Sequence, residues 1–259
     1  MTYQTTVIKL EGYGPWTLQL GSDREHKLQI LQSRIYSMLQ KLFSDKKGLV
    51  FSNRFDEMIA ITNQIDCNNH IEIHKQVLEK FKEVDISMAI GIDNTPIGSN
   101  KKASYVKNKK EYLISPFIFS NEKKDASCLR DSMFNDKNVK ILHLDINNST
   151  EITKNLSSYE TTNTIIRLYS EISTIFLKEE SLTFYLGGDN FMVIAKKETS
   201  SEKVKEIVEE IDKKTGIRLN CGIGFGATSR KAAELATKAL DNIRVFRKKG
   251  KIINVYEEL

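Results

Sequence analysis

Long apolar runs are missing from this sequence. No stretch approaches the roughly 20 residues of a membrane-spanning helix, and the N-terminus lacks a charged-then-apolar leader pattern. No membrane partner is therefore expected, and the protein is expected in the cytoplasm. Cysteine is scarce: Cys67, Cys128 and Cys221 are scattered and odd in number, which fits a reducing compartment and argues against a disulfide framework. Histidine is limited to His26, His70, His74 and His143, and no Cys/His set has structural-zinc spacing. The run His70-Ile71-Glu72-Ile73-His74 puts two imidazoles one helical turn apart, but its glutamate is misplaced for a zinc protease motif, so a surface or core pair is expected. Excess charge is small too, at +5 over 259 residues. The densest basic runs, Lys107-Asn108-Lys109-Lys110 and Arg247-Lys248-Lys249, lack the interleaved aromatics of single-strand binders. They read as solvated faces, and no nucleic-acid partner is expected.

What is present is an ordinary globular composition, 40% hydrophobic and 28% charged, and one informative pair of segments. Leu142-His143-Leu144-Asp145-Ile146-Asn147-Asn148 alternates and then breaks, so Asp145 lies where a strand gives way to a loop. Leu186-Gly187-Gly188-Asp189-Asn190-Phe191 is a Gly-Gly turn between two apolar stretches, a hairpin with an acid at its tip. Two carboxylates from neighbouring strand ends can hold a hard divalent cation, and the cation a triphosphate. A similar arrangement precedes it, with Glu11 ending an apolar strand, Asp56 in a second hairpin, and Gly91 matching Gly224. These three landmarks recur at offsets of 134, 133 and 133 (145 − 11, 189 − 56, 224 − 91). That constancy predicts duplication of one unit, with domains over 1–135 and 136–259.

Between first acid and hairpin, Leu28, Leu31, Ile35, Met38, Leu39 and Leu42 mark a helix over about 24–43, and Ile165, Leu168, Ile172, Ile175 and Phe176 mark its counterpart. Second helices follow each hairpin, the later one capped at Ser200 or Ser201 and ended by Gly216. Each copy reads β-α-β-β-α-β, so the fold class is α+β, two tandem ferredoxin-like (palm-type) domains. The stretch 98–138 is polar and without sustained period, and reads as the end of domain one plus a connection. A helix carrying Ala232, Ala236, Ala239 and Ile243, then a strand over Ile252–Tyr256, close the chain.

Asp145 and Asp189 are the strongest candidates for chemistry, with the Ile146 carbonyl as a third oxygen ligand. Loop amides of Asn147 and Asn148 can hold phosphate, and Gly187 and Gly188 let a ligand approach the backbone. Arg244, near the end of the last helix, is placed either to bind phosphate or to complement the helix dipole. Glu11, Asp56 and Glu57 offer related groups in copy one, with Arg54 adding a positive charge where copy two has glycine. Copy one is then a second active site, a contributor to a shared one, or a structural partner. His143 lies on one strand face with Asp145, as a general base or a hydrogen-bonded core histidine.

Longer strings go further. Tyr13-Gly14-Pro15-Trp16-Thr17, Leu31-Gln32-Ser33-Arg34, Asn53-Arg54-Phe55-Asp56, Ile59-Ala60-Ile61-Thr62-Asn63, Asp145-Ile146-Asn147-Asn148 and Gly187-Gly188-Asp189-Asn190-Phe191-Met192 resemble the archaeal-type GTP cyclohydrolase III family over nearly the whole chain. The resemblance implies a magnesium-dependent homo-oligomer (dimer or tetramer), stimulated by a monovalent cation such as K⁺. Its substrate would be GTP, hydrolysed to a formylamino-pyrimidine ribosyl monophosphate and two phosphates for flavin and deazaflavin synthesis. It also implies a phosphate role for Arg244 and catalytic roles for Asp145 and Asp189, with His143, Asn147 and Asn148 the nearest polar candidates for the base and stabiliser in attack at C8, while Tyr13 and Trp16 either stack on guanine or pack between domains. One departure is Glu11, where the family more usually has aspartate. A nucleotidyl cyclase, which shares the Gly-Gly-Asp hairpin, and a silent GTP-binding module are the alternatives. The first is disfavoured because the first 140 residues look like a second palm and not a sensor; the second, because both acids persist.

Overall fold

The structure, a computed structural model, describes residues 2–110, 113–121 and 139–258. The chain divides into two compact units, Met1–Lys137 and Asn138–Leu259; the boundary expected at 135/136 lies outside the described residues. Among those residues, no helix is long and apolar enough to cross a membrane.

The first unit runs β1 (Tyr3–Glu11), α1 (Tyr13–Gln19), α2 (Glu25–Asp45), β2 (Leu49–Arg54), β3 (Glu57–Ile61), α3 (Cys67–Lys80), β4 (Asp85–Asp93), α4 (Pro96–Lys109), β5 (Leu113–Ser115) and β6 (Ile118–Ser120). Its sheet has the order β2-β3-β1-β4-β6-β5. The second runs β7 (Val139–Ile146), α5 (Ser149–Thr153), α6 (Ser158–Lys178), β8 (Leu182–Gly187), β9 (Asn190–Ala195), α7 (Ser201–Thr215), β10 (Leu219–Gly226), α8 (Ser229–Lys248) and β11 (Val255–Glu258). Its sheet has the order β11-β10-β7-β9-β8. Both units contain the β-α-β-β-α-β framework, each with a further helix after it.

Strand alternation divides each sheet into two faces. In the second unit, Leu142, Leu144, Phe191, Val193, Leu219, Cys221 and Ile223 join α6 and α7 in the apolar core. The intervening residues, His143, Asp145, Asn220, Gly222 and Gly224, turn to α8. Glycine is required there by close approach. A Cβ on Gly222 would lie 2.1 Å from the Ala236 carbonyl oxygen, and one on Gly224 would lie 2.2 Å from that of Ala232. The first unit does the same with Gly91 against Ser99 and Ala103 of α4.

Helix ends follow local chemistry. Ser157 and Glu160 form a capping box at α6; Ser200 caps α7, which stops at left-handed Gly216. Three expectations need correction. The stretch from 98 begins inside a helix: α4 is capped by Thr95 and opens on Pro96. Its buried stripe is Ser99, Ala103 and Val106, too small in side chain to mark an apolar period. The terminal strand is β11, shifted toward the C-terminus from Ile252–Tyr256, because Val255 pairs with Cys221 of β10 and Ile252 is wholly exposed. Finally, Cys67 is disulfide-bonded, while Cys221 is a free, buried thiol.

The candidate acidic site

The register across the sheets shows where the duplication holds and where it slips. Tyr36 donates to the Val50 carbonyl, and Tyr169 to that of Thr183. Ser52 pairs with Met58, and Phe184 and Tyr185 pair with Met192 and Phe191. Arg54 faces Glu57 as Gly187 faces Asn190. All of these keep the 133 offset. The first strands do not. Lys9 pairs with Glu57, whereas Asp145 pairs with Asn190, an offset of 136 (145 − 9). The left-handed caps Gly12 and Asn148 of α1 and α5 agree (148 − 12). Lys9, not Glu11, therefore stands where Asp145 stands. Glu11 occupies the place of Asn147 and accepts from Ser87 Oγ at 2.5 Å. The 134 offset reads the acid two residues too far along, because strand alternation alone does not fix where pairing starts.

In the second unit Asp145 is buried, and its carboxylate is held on both oxygens. Arg244 Nη2 donates to Oδ2 at 2.7 Å and Asn220 Nδ2 to Oδ1 at 2.8 Å. Asn220 is itself oriented by Arg247 Nη2, which donates to its Oδ1 at 2.6 Å. Asp189 comes to the same neighbourhood because Asn190 pairs across to Asp145, and Asn190 Nδ2 donates to Asp189 Oδ1 at 3.0 Å. Gly187 and Gly188 make the turn at φ of 109° and 59°, the first of these open essentially to glycine alone. The hydrogen bond from Arg244 to Asp145, helped by the charges of Asp145, Asp241 and Asp189, raises the guanidinium's proton affinity further.

His143 bridges Thr237 Oγ1 (Nδ1, 3.0 Å) and Asn190 Oδ1 (Nε2, 3.2 Å). Burial lowers its pKa below the ordinary imidazole value, against the opposing pull of Asn190 and Asp145. Asn147 turns elsewhere: it lines a cleft of about 400 Å³ with Arg218, Arg247 and Asn254, and its buried Oδ1 has no hydrogen-bond partner among the described residues. Asn148 is exposed at the head of α5.

Among the described residues, no group of three or more His, Cys, Asp or Glu side chains converges. The donor set at Asp145 and Asp189 nonetheless fits a hard divalent cation. Two carboxylates and the Ile146 carbonyl are all oxygen donors, and a cation such as Mg²⁺ completes its shell with phosphate and water. Arg244 already supplies a positive partner to the same carboxylate.

The first unit is wired differently. Glu57 is buried among Lys107 Nζ, Arg54 Nη2 (3.3 Å) and Asn53 Nδ2 (3.1 Å). Arg54 Nε also meets Asp56 Oδ1 at 3.3 Å. Tyr13 and Trp16 pack on each other with ring centroids 6.0 Å apart, against this unit's own core, and Tyr13 OH accepts from Gln32 Nε2. His70 and His74 are both buried in the core. Asn220, Thr237 and Lys9 had no motif to mark them; only the strand period that puts Asn220 among glycines pointed to a special face. Two residues of the basic runs read as solvated faces need correction, because Lys107 turns inward to buried Glu57 and Arg247 to Asn220.

With that geometry in hand, likeness to known proteins is specific. A family model described as GTP cyclohydrolase III matches residues 1–257. Among curated relatives, "GTP cyclohydrolase III" of Methanothermobacter thermautotrophicus is 34% identical over 242 residues, covering 93% of this chain and 94% of the relative. The protein of the same name from Methanocaldococcus jannaschii is 36% identical over 252 residues, covering 97% and 90%. Among solved structures, an active GGEEF domain of a diguanylate cyclase from Vibrio cholerae matches 49% of this chain and 87% of its own at 12% identity, with a TM-score of 0.39.

Proposed function

Given that the chain belongs to the GTP cyclohydrolase III family, we propose that it is a hydrolase acting on GTP, with Asp145 and Asp189 at its centre. The observation that supports this most directly is the register that sets Asp145, held by Arg244, opposite Asn190, the neighbour of Asp189 at the hairpin turn. The product would be the ring-opened formylamino-pyrimidine ribosyl monophosphate with two phosphates, the precursor of flavins and deazaflavins. Asp145, Asp189 and the Ile146 carbonyl would hold Mg²⁺, which neutralises phosphate charge and lowers the pKa of water when bound. A monovalent cation such as K⁺ would stimulate turnover, and the chain would work as a homo-oligomer.

The chain's own residues supply orientation and charge. Asn220, fixed by Arg247, holds one oxygen of Asp145 and leaves the other to exchange partners. Arg244 can leave that oxygen for the outer phosphates of a triphosphate, to which its planar fork is suited. Gly187 and Gly188 leave the hairpin without side chains, so phosphate can approach the main chain. Asn148 would offer its backbone amide at the start of α5. Burial lowers the pKa of His143, and Asn190 Oδ1 and Thr237 Oγ1 fix the orientation of its ring, which would serve as the general base.

The test is mass spectrometry of products after purified protein meets GTP and Mg²⁺, beside a phosphate assay. A formylamino-pyrimidine monophosphate with two phosphates per GTP supports the proposal. Linked or cyclic guanylates with pyrophosphate would make it a cyclase, and unchanged GTP a binding module.

A further inference from the structure

The first unit contains a cleft that the second unit fills with its own side chains. Between α2 and the β2–β3 hairpin lies a space of about 160 Å³ lined by Gln29, Gln32, Ser33, Tyr36, Ser52, Arg54, Phe55 and Met58. At the 133 offset, Tyr36 corresponds to Tyr169, Ser52 to Tyr185 and Met58 to Phe191. Tyr169 and Phe191 stack with planes 9° apart and centroids 6.1 Å apart. Tyr185 lies against both, at 6.1 and 5.6 Å. In the first unit the tyrosine wall remains, but a serine replaces Tyr185 and a methionine replaces Phe191. An aromatic ring is missing from a place built to hold one.

What surrounds the gap differs in kind as well. Gln32 and Ser33 stand where the second unit has Ile165 and Ile166, so the cleft gains amide and hydroxyl groups able to read a ring edge. Phe55 replaces Gly188 and is 70% exposed at the hairpin tip, a large apolar surface left uncovered beside the opening. Arg54 replaces Gly187 and puts a guanidinium at the same rim. The space suits a fused ring, being smaller than the roughly 300–1,000 Å³ of whole-ligand pockets. Sugar and phosphate would extend outward past Arg54.

We propose that this cleft binds the purine ring of a nucleotide between Tyr36 and Phe55, without a divalent cation, as a site belonging to the first unit. Independence from metal follows from Lys9, which takes the position of Asp145 and removes a carboxylate a cation would need. That the purine is guanine rests on the GTP reading given above; the ring site itself rests on the cleft.

The experiment is calorimetric titration of the full chain with guanosine 5′-monophosphate in EDTA, compared across wild type, Ser52→Tyr and Asp189→Asn. Ser52→Tyr restores the ring that the second unit carries in the same fold. The expected result is one site per chain in wild type, at least tenfold weaker binding in Ser52→Tyr at an unchanged melting temperature, and unchanged binding in Asp189→Asn. Should Ser52→Tyr not fold, Phe55→Gly copies the second unit's residue and is expected to weaken binding severalfold. Wild-type affinity in the folded cleft variants, or no binding by wild type, overturns the proposal. Product analysis with GTP and Mg²⁺ is read separately: turnover with an inert cleft sinks only this proposal, and cleft-dependent binding without turnover sinks only the hydrolase reading.

Discussion

Lys9 stands where Asp145 stands, so the two units carry opposite charge at one place in a common framework. Asp145 and Asp189 end patterns that the sequence writes plainly, an alternating strand and a Gly-Gly turn. Asn220 is an unmarked polar residue in a glycine-rich strand, and only the β7–β10 register brings it to Asp145; Glu11, two residues beyond Lys9, masks that lysine in the sequence. The difference in charge has a consequence for activity. Asp189→Asn is expected to lower Mg²⁺-dependent GTP turnover at least 100-fold, in the range seen when a transition-state charge partner is lost. Glu11→Gln, which disturbs only an acceptor for Ser87, is expected to stay within about threefold. Steady-state kinetics with matched melting curves check both, and equal losses would show that the first unit carries an acid the chemistry needs. Arg244→Ala is expected to raise KM for GTP about tenfold or more, the loss of one charge-assisted contact of about 1.5 kcal/mol. An unchanged KM would leave Arg244 as a local partner of Asp145 and Asp241 alone.

Elements were recovered where large apolar residues keep a period and lost where small ones carry the packing. α6 and α7 announce themselves with isoleucine, leucine and valine. α4 buries serine, alanine and valine instead, because its sheet partner is Gly91 and the backbones come too close for anything larger. The same closeness at α8 makes a sharp prediction. Gly224→Val would drive side-chain carbons into the Ala232 carbonyl and the Ala236 amide, with no flexible group to yield. The helix must lift from β10, and a loss of at least about 3 kcal/mol is expected, at the upper end for overpacking. Denaturant unfolding, followed by hydrogen exchange in β10 and α8, is the measurement; a loss under about 1 kcal/mol would mean the helix shifts freely. By contrast Ser157→Ala removes half of an exposed capping box at α6, and about 1 kcal/mol is expected from the same unfolding assay.

Duplication gives the molecule two units with the same framework and different titration behaviour. The first buries two histidines, and the second half-buries one. His70 is fully enclosed, with Nδ1 donating to the Asp66 carbonyl at 2.6 Å and Nε2 accepting from Thr6 Oγ1 at 2.9 Å. Burial pushes its pKa down to about 4, against the weaker pull of Asp66. His74, donating to the Ile86 carbonyl, is lowered by burial as well. A histidine whose folded pKa lies below its unfolded value of about 6.5 binds more protons unfolded than folded between those two values. Its stabilising contribution is therefore complete above pH 6.5 and is lost as the pH falls toward 4, by about 3 kcal/mol for His70 alone. His143 acts in the same direction in the second unit, but as a single group near the mouth of a polar site, where rearrangement can hydrate it. Between pH 7 and pH 4.5 the first unit is thus expected to lose protection from hydrogen exchange sooner than the second. His70→Gln would flatten that loss even where it lowers stability at pH 7, since it deletes the titrating group and not merely a contact. If protection falls equally in both units, or the slope with pH survives His70→Gln, carboxylate protonation and not buried imidazole governs the acid response of this protein.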